Sequence, residues 1–226
     1  MKRSEINACI KDAEAFMAER RFALPPFASW TPEDWTRKGQ ECDEIRDNML
    51  GWDITDYGLG RFDEIGLVLI TLRNGNQNNA GYEKPYAEKI LISRENQICP
   101  MHYHIFKMED IINRGGGVLV MKLYNAGEDG RLSGTDVVAV CDGVRRDFQA
   151  GSEIELPPGE SITLTTGLYH AFWAKQGHGP VLVGEVSKCN DDNTDNVFLE
   201  SMGRFPAIDE DEAPYRLLVN EYPQAR

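Results

Sequence analysis

The sequence predicts an all-β barrel or sandwich carrying helices at its front, and three observations predict it. From Leu67 onward, ten short runs rich in Val, Ile, Leu and aromatic residues follow one another with turn residues between them. Asp142-Gly143 is the dipeptide of a two-residue hairpin. Before Leu67 the pattern differs, with apolar residues recurring at helical spacing. A chain of 226 residues allows one large domain or two small ones and buries a core without disulfides. With no internal repeat and no low-complexity linker, it reads as one domain. A helical and loop extension covers 1–63, a barrel core 64–190, and a C-terminal extension packing on the barrel 191–226.

Residues 4–20 read as a helix with Ser4 as its cap and Ile6, Ile10, Ala13, Phe16 and Met17 on one face. Leu24-Pro25-Pro26 stops it. A short second helix has Thr31 as cap, Pro32 at the first helical position, Asp34 at the third and Gly39 near its end. Residues 47–63, rich in Asp, Gly and aromatics, read as an ordered loop. The strand candidates are 67–72, 87–93, 98–105, 117–124, 137–141, 144–148, 152–156, 161–165, 169–174 and 181–187. The tail holds a polar run over 190–196, an acidic segment over 209–212 and a last strand-like piece over 215–219.

Acidic residues outnumber basic ones by 37 to 24, giving a formal charge of −13. That balance argues against a non-specific nucleic-acid binder, which needs a basic face, and against a peripheral binder of anionic membranes. No apolar run approaches the ~20 residues of a membrane span. Met1-Lys2-Arg3-Ser4-Glu5 leads straight into the amphipathic pattern and not into the apolar core of a signal peptide. The five cysteines, Cys9, Cys42, Cys99, Cys141 and Cys189, are widely spaced with no Cys-x-x-Cys pair. They read as free thiols in a reducing compartment, which makes the expectation a cytoplasmic protein.

Three of the four histidines fall in two compact motifs. In Pro100-Met-His102-Tyr-His104-Ile-Phe-Lys-Met-Glu109, the two imidazoles stand at i and i+2 of a strand and so share a face. Glu109 follows after a turn or bulge, and Gly167-Leu-Tyr-His170 comes about sixty residues later. Three neutral imidazoles and one carboxylate suit a divalent transition metal. The alternative, ordinary packed histidines on strands, does not account for the concentration of three of four in one pattern. His178, in Gln-Gly-His-Gly, reads as an exposed loop residue. Tyr103 and Tyr169 alternate with the candidate ligands, and Trp173 lies three residues past His170, so all three are expected to face away from the metal.

The spacing His102-x-His104-x4-Glu109 followed by Gly116, then Gly159-x5-Thr165-x-Gly167-x2-His170, resembles the two cupin motifs. That resemblance implies a cupin-type β-barrel (jelly roll) with His102, His104, Glu109 and His170 around one metal. Asn96 stands where the family usually has Gly, Thr165 where it has Pro, and Ala174 where it has Asn, and none of these departures removes a ligand. A closer resemblance covers nearly the whole chain. Leu24-Pro-Pro-Phe27, Trp30-Thr-Pro-Glu-Asp-Trp35, Asp47-Asn-Met-Leu-Gly-Trp-Asp53, Lys84-Pro-Tyr-Ala-Glu-Lys89, Glu109-Asp-Ile-Ile-Asn-Arg-Gly-Gly-Gly117 and Gly184-Glu-Val-Ser187 with the 190–196 run are similar to the bacterial D-lyxose isomerases. The resemblance implies a manganese-dependent enzyme acting on a free monosaccharide, D-lyxose with D-xylulose and often D-mannose with D-fructose, and a homodimer.

Aldose–ketose isomerisation through a cis-enediol needs a base near C1 and C2 and a polariser for the oxygens. Strand register suggests which residues supply them. If 94–97 is a hairpin turn, Lys89 falls opposite His102 and Ala87 opposite His104; if 175–180 is another, Glu185 falls opposite His170. Glu185 is then the candidate proton-transferring base and Lys89 the cation stabilising the enediolate. The alternative reading makes Glu185 a partner that orients a histidine and Lys89 a surface residue. Asp191, Asp192, Asn193, Asp195 and Asn196 offer sugar contacts or a solvated turn, and Arg204 and Arg216 have no local signal placing them at the cavity. Two other functions stay open at this point: a metal-dependent cupin dioxygenase and a non-catalytic sugar-binding cupin. A charged acid–base pair beside the metal distinguishes isomerisation from both.

Overall fold

The computed structural model describes residues 1–192 and 194–225. Its first element, α1 (Arg3–Glu19), buries Ile6, Ile10, Ala13 and Met17, as the helical spacing predicts, with Phe16 only partly buried against them and Cys9 added to the face. Ser4 is not its cap. Glu5 accepts the Lys2 backbone N–H at 2.7 Å, while Ser4 donates its own N–H and hydroxyl to Asp211. The cap moves because the C-terminal segment takes the serine for itself. In α2 (Pro32–Trp35) the expected cap forms: Thr31 Oγ1 accepts the Asp34 N–H, and Asp34 accepts that of Thr31. The helix is a single turn that ends at Trp35, and Gly39 leads instead into a 3-10 turn at Gln40–Cys42. A further short helix, α3 (Asp43–Asp47), follows.

All ten strand candidates form, with ends shifted by at most two residues: β2 (Leu67–Arg73), β3 (Tyr86–Ser93), β4 (Cys99–His104), β6 (Leu119–Asn125), β7 (Val137–Cys141), β8 (Val144–Phe148), β9 (Glu153–Leu156), β10 (Ser161–Leu164), β11 (Leu168–Ala174) and β12 (Val181–Lys188). Three strands lie where none is expected: β1 (Gly51–Thr55), β5 (Glu109–Gly116) and β13 (Asn196–Phe198). β1 is buried on both sides, so it shows no alternation, and it falls inside the segment read as loop. β5 ends in glycines that lower strand propensity. Residues 215–219 form no strand; Leu218 makes one isolated bridge to Trp52.

The strands build two antiparallel sheets, β1-β2-β3-β12-β5-β10-β7-β8 and β13-β4-β11-β6-β9, closed face to face as a cupin-type barrel. The inner faces supply one core, including Leu69, Leu91, Ile111 and Val183 from the larger sheet and Met121, Leu123, Leu156 and Phe172 from the smaller. α1 covers the outer face of the larger sheet over Val68, Ile70, Ile90 and Leu182.

Both hairpin registers expected from the sequence are corrected by this topology. β3 pairs with β2 and β12, and β4 with β11 and β13, so 94–97 crosses between sheets and joins no hairpin. Lys89 stands opposite Glu185 and Thr71 and not opposite His102, and Ala87 opposite Ser187 and not opposite His104. The segment 175–180 crosses likewise, so His170 stands opposite His102 and Leu123 and not opposite Glu185. The Asp142-Gly143 hairpin does form, with both residues at positive φ and Cys141 opposite Val144. All five cysteines are free and buried. Among the described residues, no helix is long and apolar enough to cross a membrane.

Candidate metal centre and reaction pocket

The pairing of β4 with β11 sets His170 directly opposite His102, and the two-residue period of β4 turns His104 the same way. All three imidazoles are buried, with one ring nitrogen from each inside a 4.8 Å cluster. His102 Nδ1 lies 2.7 Å from the Pro100 carbonyl and His170 Nδ1 3.0 Å from that of Leu168. Donating those N–H groups leaves both Nε2 lone pairs available. Glu109, first residue of β5, reaches in from the facing sheet. Its Oε1 lies 3.2 Å from His104 Nε2 and 3.3 Å from His170 Nε2.

This donor set fits a metal ion. Neighbouring ligands of an octahedral ion with bonds of about 2.1 Å sit roughly 3.0 Å apart, close to the spacing of the Glu109 oxygen from its two histidines. Burial and the adjacent imidazoles push His102 well below its ordinary pKa, and burial lowers His104 too. Neutral imidazole is the ligating form. Burial opposes the charge on Glu109, but Lys107 and His104 outweigh it and hold the carboxyl well below the usual range.

Beside the cluster runs a chain of buried charge. Lys107 Nζ lies 2.8 Å from Glu109 Oε2 and 2.8 Å from Glu185 Oε1, and 3.1 Å from Asn190 Oδ1. Burial opposes the ammonium, and the two carboxylates more than compensate, raising its pKa. Lys89 Nζ lies 3.7 Å from the same Glu185 oxygen and 3.1 Å from both oxygens of Asp192. Lys89 is 3% exposed, which rules out the surface reading. Lys89, Lys107, Glu109, Glu185 and Asp192 line a cavity of about 220 Å³, and Leu69, Ile111, Phe172, Phe198 and Met202 form apolar parts of its wall. A carboxylate held between two ammonium groups in such a space can move a proton while the cations stabilise a developing oxyanion.

All six residues singled out from the sequence meet here, although Lys89 and Glu185 arrive by facing each other across β3 and β12. Sequence reasoning missed Lys107. It sits in the irregular stretch between His104 and Glu109, where periodicity assigns no face; Asp195 holds that stretch by accepting the Phe106 and Lys107 N–H groups at 2.6 and 3.0 Å. Its signal was its position between two motif residues. The 190–196 run is built into the site: Asp192 and Asn196 line the cavity and Asp195 buttresses the Lys107 loop, while Asn193 lies outside the described residues. Arg204 also lines the cavity, whereas Arg216 bonds Glu14 and Tyr215 on the α1 side. Tyr103 and Tyr169 pack edge to face outside it, with Tyr169 buried and bonded to the Gly130 carbonyl. Trp173, also outside the cavity, lies under the Lys122 ammonium, and His178 is exposed.

Comparison with known proteins agrees with this architecture. The D-lyxose/D-mannose isomerase of Escherichia coli O157:H7 is 48% identical over 227 residues, covering all of both chains. The D-lyxose/D-mannose isomerase of Serratia proteamaculans is 48% identical over 98% of each chain. Among solved structures, the L-ribose isomerase of Acinetobacter sp. DL28 in complex with L-ribose superposes with a TM-score of 0.61 at 15% identity, over 92% of this chain and 98% of that one. At that identity the likeness shows the fold. The family model for D-lyxose isomerase matches residues 1–222, and the chain belongs to the D-lyxose isomerase family.

Proposed function

We propose that the protein is an aldose–ketose isomerase that interconverts D-lyxose and D-xylulose, with D-mannose and D-fructose as a second pair, around one divalent ion. His102, His104, Glu109 and His170 would hold that ion. The observation that carries the reading is the buried alternation Glu109–Lys107–Glu185–Lys89 against three imidazoles. Neither an oxygen-dependent cupin nor a binding-only cupin calls for a carboxylate between two ammonium groups.

When bound, the metal polarises the carbonyl and adjacent hydroxyl oxygens of the open-chain sugar. Manganese is the ion the family resemblance implies, whereas the ligands alone suit several. Glu185 takes the C2 proton and returns it to C1 through a cis-enediol, while the hydroxyl proton passes from O2 to O1, so that the carbonyl moves from C1 to C2. Glu109 is unsuited to that task, because Lys107 and two imidazoles already hold its oxygens. Lys107 is the nearer cation to Glu185, at 2.8 Å against 3.7 Å for Lys89, so Lys107 shares the stabilising role first given to Lys89 alone. The apolar wall keeps solvent from the proton in transit.

Glu185→Gln is expected to lower kcat by roughly 10²–10⁴-fold while metal content, measured by elemental analysis, stays at the wild-type level. Turnover retained in that variant overturns the base assignment. Loss of metal together with turnover moves Glu185 to a supporting role around the ion. We further propose that the chain is one domain, dimeric and cytoplasmic. Supporting this are five free thiols and the exposed apolar Val138, Val140 and Val186 on the larger sheet, which suit contact with a second copy.

A further inference from the structure

Arg204 and Asp192 line two cavities at once. One is the reaction cavity of about 220 Å³, and the other is an adjoining polar cavity of about 210 Å³ beside Asp53, Asn74 and Asn190. Among the described residues, no other borders both cavities. Arg204 belongs to the irregular segment after β13, which is tied down by Leu199 N–H to the Met101 carbonyl and Gly203 N–H to that of Tyr57. Its own carbonyl accepts the Thr55 hydroxyl at 2.6 Å. One nitrogen, Nη2, bridges Asp53 at 2.6 Å and Asp192 at 3.1 Å. Asp192 in turn grips Lys89.

The anchor of this partition is Asp53 on β1. It is 1% exposed, and its second oxygen has no hydrogen-bond partner among the described residues, nor does Arg204 Nε. A buried carboxylate with one orphaned oxygen is poorly placed for stability alone. Its position beneath Arg204 is better explained by what it holds in place.

We propose that Arg204, pinned by Asp53, is a positioning residue that closes the far end of the reaction cavity and thereby sets the chain length of the sugar accepted. With the carbonyl end of an aldose against the histidine cluster, its distal hydroxyls extend toward this wall. Shortening Arg204 opens the wall into the second cavity, whose amides and carboxylates suit hydroxyl groups. The longer sugar then gains space and partners that the shorter one does not use. This inference rests on the isomerase reading.

The test compares kcat/KM for D-mannose and D-lyxose in metal-loaded wild type, Arg204→Ala, Arg204→Lys and Asp53→Asn. Arg204→Ala is expected to raise the hexose-to-pentose ratio at least tenfold, mostly through KM, with metal content unchanged. Asp53→Asn, which keeps the volume and removes the anchor, is expected to shift the ratio the same way by about threefold. Arg204→Lys should lie between wild type and Arg204→Ala. Removing Arg204 leaves two buried carboxylates without their shared cation, so thermal melting checks folding first. Should Arg204→Ala fail to fold, Asp53→Asn and Arg204→Lys decide the matter alone. A folded variant set in which both sugars lose activity equally, leaving the ratio within twofold of wild type, overturns the partition and leaves the isomerase reading intact. A wild-type enzyme that turns over neither sugar overturns both.

Discussion

His102 and His104 are separated by one residue, and that spacing on a strand is why they were legible: the period of two decides the shared face before any tertiary contact exists. Their environment was not legible, because burial comes from strands far away in sequence. It has a measurable consequence in the metal-free protein. Burial holds both imidazoles neutral in the folded state, while in the unfolded chain they protonate near pH 6.5. A base whose folded pKa is depressed contributes stability that is complete above the unfolded value and is lost as the pH falls through it. Glu109, also depressed, acts in the same direction below about 4.5, its unfolded value. The melting temperature of the metal-stripped protein should therefore be level from pH 8 to 7. It should decline from about pH 6.5 downward, as the unfolding free energy falls by up to about 1.4 kcal/mol per pH unit for each imidazole, and decline again below pH 4.5. A level melting temperature between pH 7 and 5 would contradict the buried neutral cluster. Lys107, Asp53 and Arg204 illustrate the opposite limit. Each owes its role to a partner more than fifty residues away, Glu185 for Lys107 and each other for the remaining two, and no local period reports such a pairing.

The ten expected strands were read to within two residues, yet two of the three expected hairpins were misread, and the reason lies in the barrel. A short connection between two strands is a hairpin when both stay in one sheet. Here 94–97 and 175–180 carry the chain across to the other sheet, leaving only isolated contacts such as the Glu95–Ala174 bridge near the crossing. Lys89 and Glu185 still point inward, because inward orientation depends on the period within each strand and not on the neighbour. Helix α1 shows the same dependence on distant chain. Arg3, 2% exposed at its first turn, is held by Glu210 at 2.6 Å and by Glu221, both from the C-terminal segment. Glu210 is itself half exposed, and solvent takes over part of its charge when Arg3 is lost. Arg3→Ala should therefore lower unfolding stability by about 1–3 kcal/mol, the range of hydrogen bonds to charged groups. Its kcat at saturating sugar should equal wild type, because Arg3 touches none of the cavity-lining groups. Urea unfolding and a saturating assay measure the two, and a fall in kcat without loss of stability would break the argument.

At the scale of the whole molecule, the proposed metal site joins the two sheets. Three of its four ligands, His102, His104 and His170, come from β4 and β11 of the smaller sheet, and Glu109 alone comes from β5 of the larger. An ion bound by all four is a cross-link between layers that are otherwise held by apolar packing, so metal affinity and folding stability are linked. With free Mn²⁺ at a hundredfold over its dissociation constant, linkage gives about 2.7 kcal/mol. For a chain of 226 residues, at about 2–4 °C per kcal/mol, that becomes a rise in melting temperature of roughly 5–10 °C. Glu109→Gln separates the cross-link from simple binding to the histidines. The variant keeps all three imidazoles on one sheet, so it should still bind Mn²⁺ more weakly. At the same multiple of its own dissociation constant, mass action predicts the same rise for the variant as for wild type, whatever the architecture. The cross-link shows itself elsewhere, in the kinetics of opening. Metal should slow unfolding in denaturant for wild type at least tenfold more than for Glu109→Gln, because separating the sheets breaks the Glu109 contact only in the former. Stopped-flow unfolding at matched metal saturation measures this, and equal slowing in both proteins would show that the ion stabilises the smaller sheet without holding the two layers together.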